Sequence, residues 1–378
     1  MNVVCRLDEV CEIVMGQAPS GEAYNTDGKG WPLIAGAGDF GESAPQSSKF
    51  TTEATKLSRV GDIVLGIRAS IGEKVIADGE YCLGRGVAGL RSRNALDPRF
   101  LWHWLGHISP QLTVKGKGAT FKQVNKQDIG ELPISLPSLQ AQRRIAEVLD
   151  RAEALRAKRR SVLAGLDTLT QSIFLDLFGN PITNDKDWPV SELQDLASVE
   201  RGRFTPRPRN DPSFYGGQFP FIQTGDISNC GGRLSSWTQT LNQRGIAVSR
   251  SFQPGTIVIA IVGATLGMTA ILDAEVYCPD SVVGIQVQPK KAHAEYIERI
   301  LRFWRPIFVA KAPETARANI NLETLRPLRV PNPPVSLQSE FASLVKVVER
   351  LKAAHRISLI QLDTLFAVLQ HRAFRGEL

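Results

Sequence analysis

Two short stretches carry a chemistry that can be read directly. From Lys115 to Lys126, KGKGATFKQVNK holds four lysines and no acid. From Arg201 to Arg209, RGRFTPRPR holds four arginines and one aromatic ring, again with no acid. Lysines among glycines bring charge and backbone close to phosphates, and arginine forks fit phosphate oxygens or the acceptor edge of guanine. Lys115, Lys117, Thr120 and Lys122 in the first stretch, and Arg201, Arg203, Thr205, Arg207 and Arg209 in the second, are therefore candidates for nucleic-acid contact. A third basic run, RAKRR at Arg156–Arg160, lies in a helical segment and reads as a solvated or partner-facing helix surface.

Other chemistries are formally suggested and then fail. PNPPV at Pro331–Val335 resembles the NPPY or NPPF signature of DNA adenine methyltransferases, in which an aromatic residue stacks on a flipped base. Here Val335 stands at the aromatic position, and the matching site of the first half, SLPSL, lacks the motif. The prolines are explained as punctuation before a helix. Gly36-x-Gly38-x-x-Gly41 has the spacing of a dinucleotide fingerprint, but ESAPQSSKF follows where a helix should begin. The sequence contains no GxxxxGK[ST] loop. Its five cysteines and five histidines are scattered, which excludes a recognisable zinc site or disulfide framework. No catalytic residue and no metal ligand is expected.

Composition agrees with an intracellular binding protein. A formal charge of +7 on 378 residues is moderately basic and compatible with an anionic partner. The length suits two or three domains. MNVVCRLDEV carries charges where a signal peptide needs an apolar run. The longest uncharged apolar stretch, Ile257–Leu272, is short for a membrane span and broken by glycines. A cytoplasmic location without membrane association is expected.

The elements that must position these loops are visible as a repeat. LDTL occurs at Leu166–Leu169 and again, 196 positions on, at Leu362–Leu365. Its neighbours come along in order: Tyr81-Cys82 matches Tyr277-Cys278, Asn125 matches Asn321, Pro137 matches Pro333, and GDIVLGI matches GTIVIAI. The chain is an internal duplication. Each half begins with a mixed region of short β-like runs and Gly/Pro turns, with a helix at Pro98–Ile108 or Ala294–Phe308. A proline-marked stop follows, then a long proline-free helix, Gln140 to about Phe178 and Gln338 to about Phe374. The heptads place Ile145, Ala152, Arg159, Leu166 and Ile173 on one seam position, with Val148, Leu155, Val162 and Leu169 three residues further on. The second helix inherits that register, so Leu155, Leu166, Leu169, Leu351, Leu362 and Leu365 are expected at the seam of an antiparallel pair. Leu166 and Leu169 should then be buried against the helix carrying Leu362 and Leu365. A bar about 55 Å long holding two heads apart would result.

The halves share this framework and differ in their loops. Arg68 in GIRASIG corresponds to an uncharged stretch, and KGATFKQ corresponds to PETARANI, where Arg317 is the only base. Two heads of one fold with unlike contact residues suit an asymmetric, bipartite DNA target.

At this point the chain resembles the specificity subunits of type I restriction-modification systems. The resemblance covers essentially the whole length and is carried most specifically by ELPISLPSLQAQRRIAEVLDRAEALRAKRRSVLAGLDTLTQSIFLDLFG and LRVPNPPVSLQSEFASLVKVVERLKAAHRISLIQLDTLFAVLQHRAFRGEL. VMGQAPSGEAYN and VERGRFTPRPRN look like the openings of that family's target recognition domains, which adds Gln17, Ser20 and Tyr24 to the DNA-contact candidates. The resemblance implies an α+β fold in pseudo-twofold repeat. Target recognition domains would occupy 1–136 and 180–332, separated by two long antiparallel coiled-coil helices at 137–179 and 333–378. It implies a non-catalytic subunit that reads double-stranded DNA and recruits two modification and two restriction subunits. S-adenosylmethionine, ATP and magnesium would be held by those partners and no cofactor by this chain. It makes Arg144, Arg151, Arg156 and Arg160 plausible partner contacts; SLQSEFASLV is less charged than SLQAQRRIAEVL, which leaves the second helix's partner surface less defined. The alternatives are a stand-alone adenine methyltransferase acting through Asn332 and a coiled-coil scaffold that ignores DNA.

Overall fold

Apolar runs bounded by turns become the central strands of two matching sheets. The computed structural model describes residues 3–117, 122–311 and 320–378; Thr120 and Arg317 lie outside the described residues. The chain forms two compact units. One combines the residues up to Arg160 with Ile357–Leu378, and the other is Ser161–Arg356. In the first, strands Cys11–Met15, Val87–Ser92, Ile63–Gly66 and Lys74–Ile76 lie in that order, all antiparallel. In the second, Ala197–Arg201, Val282–Val287, Ile257–Ala260 and Thr269–Leu272 repeat the order, and Arg233–Leu234 extends the edge. Each unit adds a smaller four-stranded sheet.

The central strands are uniformly apolar because both of their faces are covered. Ile63 and Leu65 join the core beneath the helices, while Val64 faces a second core under the small sheet. Ile257 and Ile259 against Val258 and Ala260 repeat the division in the other unit. Successive strand residues point to opposite faces, so one short run serves two cores. The first core is closed by helix α1 (Pro98–Lys115), which starts at Asp97: its carboxylate accepts from the Arg99 and Phe100 amides.

Two helices of forty residues or more follow the sheets: α2 (Leu139–Phe178) and, after α3 (Ala294–Lys311), α4 (Val335–Arg375). Each is fastened to its head by a buried glutamine. Gln142 accepts from the Asp97 amide at 2.8 Å and donates to the carbonyls of Ala95 and Pro137. Gln338 accepts from the His293 amide at 3.0 Å and donates to Pro333 and Asn332. The shared letters SLQ are thus out of step by two positions, and the residue equivalent to Gln338 is Gln142 rather than Gln140. Asn332 is absorbed by this fastening; its own amide also donates to the Pro189 carbonyl.

The helices pair antiparallel within each unit, and the pairing is ionic. In the first unit Arg156 donates to Asp363 at 2.6 Å, with its guanidinium 4.3 Å from the Phe366 ring and Arg160 at 3.5 Å from the same carboxylate. In the second unit the repeat counterparts exchange roles: Lys352 contacts Asp167 at 2.6 Å and Glu349 at 2.7 Å. The aspartates are those of the two LDTL copies. Each therefore faces the basic turn of the opposite helix within its own unit.

The leucine seam also needs correction. Leu155, Leu169, Leu351 and Leu365 are 53%, 46%, 48% and 49% exposed, while Leu166 and Leu362 are partly buried. The first seam position stands, but the second lies four residues after it rather than three. Leu149, Arg156, Leu163, Thr170 and Leu177 occupy it in α2, and Val345, Lys352, Leu359, Phe366 and Ala373 in α4; all are buried or partly buried. Both spacings put residues on one helical stripe, and the wrong one was favoured because Val148, Leu155, Val162 and Leu169 are all apolar where the true one carries Arg156 and Thr170. The ends of the pairs are aromatic: Phe366 and Phe374 pack on His103 and Phe100 in one unit, and Phe174 and Phe178 on Tyr296 and Phe341 in the other.

Two predictions follow from this packing. Asp167→Ala should destabilise the second unit by about 1–2 kcal/mol, and Asp167→Ala with Glu349→Ala by more than the sum, because Lys352, 2% exposed, then lacks any counter-charge. Lys352→Met should cost less than that double variant, read from urea unfolding midpoints. In the first unit, burial pushes His103 and His107 below their ordinary value of 6.5, outweighing the Asp150 carboxylate 2.6 Å from His103. The unfolded chain then takes up protons first. The stabilisation is complete above about pH 6.5 and is lost as pH falls below it. His103→Gln with His107→Gln should flatten the pH dependence of unfolding between pH 7 and 5.

Candidate nucleic-acid interface

The basic loops gather at one end of each main sheet, held by the same main-chain hydrogen bonds. In the first unit Gly16 donates to Val87, Gln17 to Leu83, Ile67 to Gly86, and Val124 to Ile67, all at 2.8–3.1 Å. In the second, Gly202 donates to Val282, Arg203 to Cys278, Ile261 to Ser281, and Ile320 to Ile261, at 2.8–3.0 Å. These bonds align Gln17 with Arg203 and Arg68 with Val262.

In the first unit the frame brings Arg68, Lys117 and Lys122 together. Arg68 donates to the Gln123 side chain at 2.7 Å, and Lys117 and Gln123 exchange two main-chain hydrogen bonds. Lys115 ends α1 beside them; all three lysines are exposed. The Lys117 ammonium is 81% exposed and only 3.7 Å from Asp128, a pairing worth little in solvent. Gln17 is exposed at the same end of the sheet. Ser20 and Tyr24 lie further along, where Tyr24 pairs with Thr51 on the edge of the small sheet, and they do not join this cluster.

Sequence reasoning missed Arg85. It is exposed between two buried glycines that have no room for a side chain. A Cβ on Gly86 would meet the Ala35 carbonyl at 2.1 Å, and one on Gly84 the Ile34 carbonyl at 2.9 Å. The signal was LGRGVAG itself, where tight glycines present a single arginine. The frame aligns Arg85 with Asp280, so the two units carry opposite charges at one position.

That aspartate changes the reading of the second basic stretch. Arg209 pairs directly with Asp280, Arg207 stands 3.6 Å from it, and Arg201 donates to its carbonyl at 2.5 Å. Arg203 donates to the Ser249 carbonyl at 3.3 Å, and Thr205 is exposed. The stretch contains no acid, yet the fold supplies one from the neighbouring loop and organises the arginines around it. A groove of about 630 Å³ along the edge strand Ala197–Arg201 adds Arg250 and Arg326. Its counterpart along Cys11–Met15, about 540 Å³, has Lys56, Arg93 and Lys126 beside Asp8 and Glu12. Of these five cations Lys126 closes the first basic stretch; Lys56, Arg93, Arg250 and Arg326 lie outside both stretches and did not stand out in the sequence.

The partner-contact candidates divide. Arg144 and Arg151 are exposed, Arg151 bonded to Glu147 one turn away. Arg156 is 17% exposed and committed to Asp363, so it is a seam residue rather than an outward contact; Arg160, half exposed, shares that carboxylate. Among the described residues no His/Cys/Asp/Glu group suited to a metal occurs, and no helix is long and apolar enough to cross a membrane.

The family model of the type I restriction modification DNA specificity domain matches residues 2–163 and again 185–362. The chain belongs to this family. A putative type I restriction enzyme MjaX specificity subunit of Methanocaldococcus jannaschii is 36% identical over 139 residues, 36% of this chain and 33% of that protein. The alignment thus spans a third of that relative's length. The EcoBI specificity subunit of Escherichia coli is 23% identical over 367 residues, 84% of this chain and 73% of that one. Two solved structures share the specificity-subunit fold. The S subunit of a type I restriction-modification system from M. genitalium has a TM-score of 0.60 at 15% identity, covering 99% of this chain and 96% of that one. A chain from a study of type I complex assembly and conformational transition has a TM-score of 0.57 at 19% identity, covering 100% and 98%. The duplication seen in the sequence is the family domain occurring twice.

Because Gly86 carries the turn that presents Arg85, Gly86→Ala is expected to destabilise the first unit by about 2–3 kcal/mol. Arg85→Ala should leave stability within about 0.5 kcal/mol. Chemical denaturation of both variants checks the contrast.

Proposed function

We propose that this chain is the non-catalytic, sequence-reading subunit of a type I restriction-modification complex. Each head reads one half of a split double-stranded DNA target. The observation that carries this is the shared frame with unlike charge. Arg68, Arg85, Lys117 and Lys122 stand at the sheet end of one head, and an Asp280-centred arginine cluster stands at the same place in the other. Phosphate contact fixes where a protein sits, and differing side chains on one frame give differing readout.

The partners are modification subunits, which would hold S-adenosylmethionine, and restriction subunits, which would use ATP and magnesium; two of each are expected. Their docking surface, in each unit by itself, is the flank of the long helices beside the ionic seam. There Val148, Leu155 and Leu169 of α2, and Leu344, Leu351 and Leu365 of α4, are exposed, with Arg144 and Arg151 alongside. Exposed apolar rows of this kind mark protein contacts, which gives the leucines wrongly assigned to the seam a different use.

The deciding experiment is the methylome of cells that co-express this chain with its modification subunit. One split motif with an adenine in each half is expected, and unchanged adenine methylation beside a functional partner would sink the proposal. Binding to duplex DNA should fall steeply with salt. Replacing Lys115, Lys117 and Lys122 by alanine should weaken it and lower the slope of log K against log salt by up to about 3. An unchanged slope would remove that loop from the interface.

A further inference from the structure

The second unit holds a pocket whose lining the first unit does not share. It measures about 510 Å³ and opens beside the arginine loop. Its floor is aromatic: Phe204 and Phe221, 2% and 0% exposed, have ring centroids 5.0 Å apart, and the Tyr215 ring lies 5.8 and 6.0 Å from them. Its rim is polar. The Gln223 amide donates to the Gln239 side chain at 3.2 Å, and both residues are at least partly exposed. Arg209 completes the rim; its carbonyl accepts from the Tyr215 hydroxyl at 2.5 Å.

The repeat separates framework from function here. Tyr215 has a counterpart in Tyr24, at the start of the equivalent strand. By contrast, the frame aligns Phe204 with Ala18, and FPFIQ against WPLIA aligns Phe221 with Leu33 and Gln223 with Ala35. Phe204 and Phe221, which fill a small core of this head with Leu241, and the amide at the rim thus have no like counterpart in the first unit. They form a site particular to this head.

The chemistry of that site selects a flat heteroaromatic ring bearing a phosphate. The partly exposed Tyr215 ring can stack on a base above the buried Phe204 and Phe221, side-chain amides match the donor and acceptor pattern of a base edge, and Arg209, held by Asp280, stands within reach of the attached phosphate. The loop that supplies Phe204 and Arg209 also supplies Arg201 and Arg207 to the candidate DNA face. We propose that this pocket receives a single unstacked nucleobase of the bound DNA; the proposal rests on the DNA-reading function above.

The test uses the full chain and three kinds of duplex built on one sequence: perfectly paired, carrying a one-nucleotide bulge (each of the four bases in turn), and carrying the same bulge without its base. Fluorescence anisotropy over a salt series gives affinity and slope for each. The wild type should bind at least one base-bearing bulge about tenfold more tightly than the abasic bulge. Gln223→Ala with Gln239→Ala, and separately Tyr215→Leu, should abolish that preference and leave affinity and salt slope on the perfect duplex unchanged. Equal binding of base-bearing and abasic bulges by the wild type overturns the pocket while DNA reading stands, as do rim and ring variants that keep the full preference. Absence of salt-dependent binding to every duplex overturns DNA reading itself. Loss of the preference on adding micromolar adenosine or cytidine monophosphate would assign the pocket to a free nucleotide and overturn the DNA-base assignment.

Discussion

The pairing of each LDTL aspartate with a basic residue on the opposite helix is the constraint on which the rest depends. Apolar stripes on two long helices tolerate sliding by a turn, because leucines exchange for leucines at little cost. A buried ammonium or guanidinium does not tolerate it: displaced from its carboxylate, it loses the counter-charge that makes burial acceptable. Arg156 with Asp363 and Lys352 with Asp167 therefore fix the antiparallel register twice, by the same residues of the repeat in exchanged roles. The buried glutamines then transmit that register to the heads. Gln142 and Gln338 each bond simultaneously to the helix approach and to the start of the head's own helix, so a head has no freedom to turn about its helix without breaking buried hydrogen bonds.

The duplication, the apolar central strands and the two long helices were legible in the sequence because each rests on a local pattern. The seam was only half legible. A stripe one residue away offered Val148, Leu155, Val162 and Leu169 without a charge, and the true stripe contained charges at Arg156 and Lys352, which by composition belong outside. Only the partner across the seam reverses that judgement, and a partner on another helix leaves no mark in local periodicity. The repeat did contain a hint: basic and acidic residues recur together at Glu153, Arg156 and Asp167, and at Glu349, Lys352 and Asp363.

The candidate interface divides in the same way. Clusters contiguous in sequence were found, and cations contributed singly by separate strands and loops were not. Arg85, Arg250 and Arg326 each gain meaning from a neighbour far along the chain. The arginine stretch was found and contains no acid, but its counter-charge was not legible, because Asp280 approaches it through main-chain bonds between strands that no spacing rule reports. Asn332 shows the converse, a residue that looked chemical and is consumed by helix fastening.

The frame that presents these loops is built almost wholly from main-chain donors and acceptors. Gly16 and Gly202, Ile67 and Ile261, and Val124 and Ile320 make their bonds without help from side chains. Such a frame is indifferent to what stands beyond it, which is how arginine in one copy and aspartate in the other occupy the same station. In evolutionary terms, the scaffold separates inheritance of shape from inheritance of preference. Exchange of one exposed side chain at such a station, Arg85 for an aspartate, then changes the charge presented there and leaves the main-chain bonds of the head as they were.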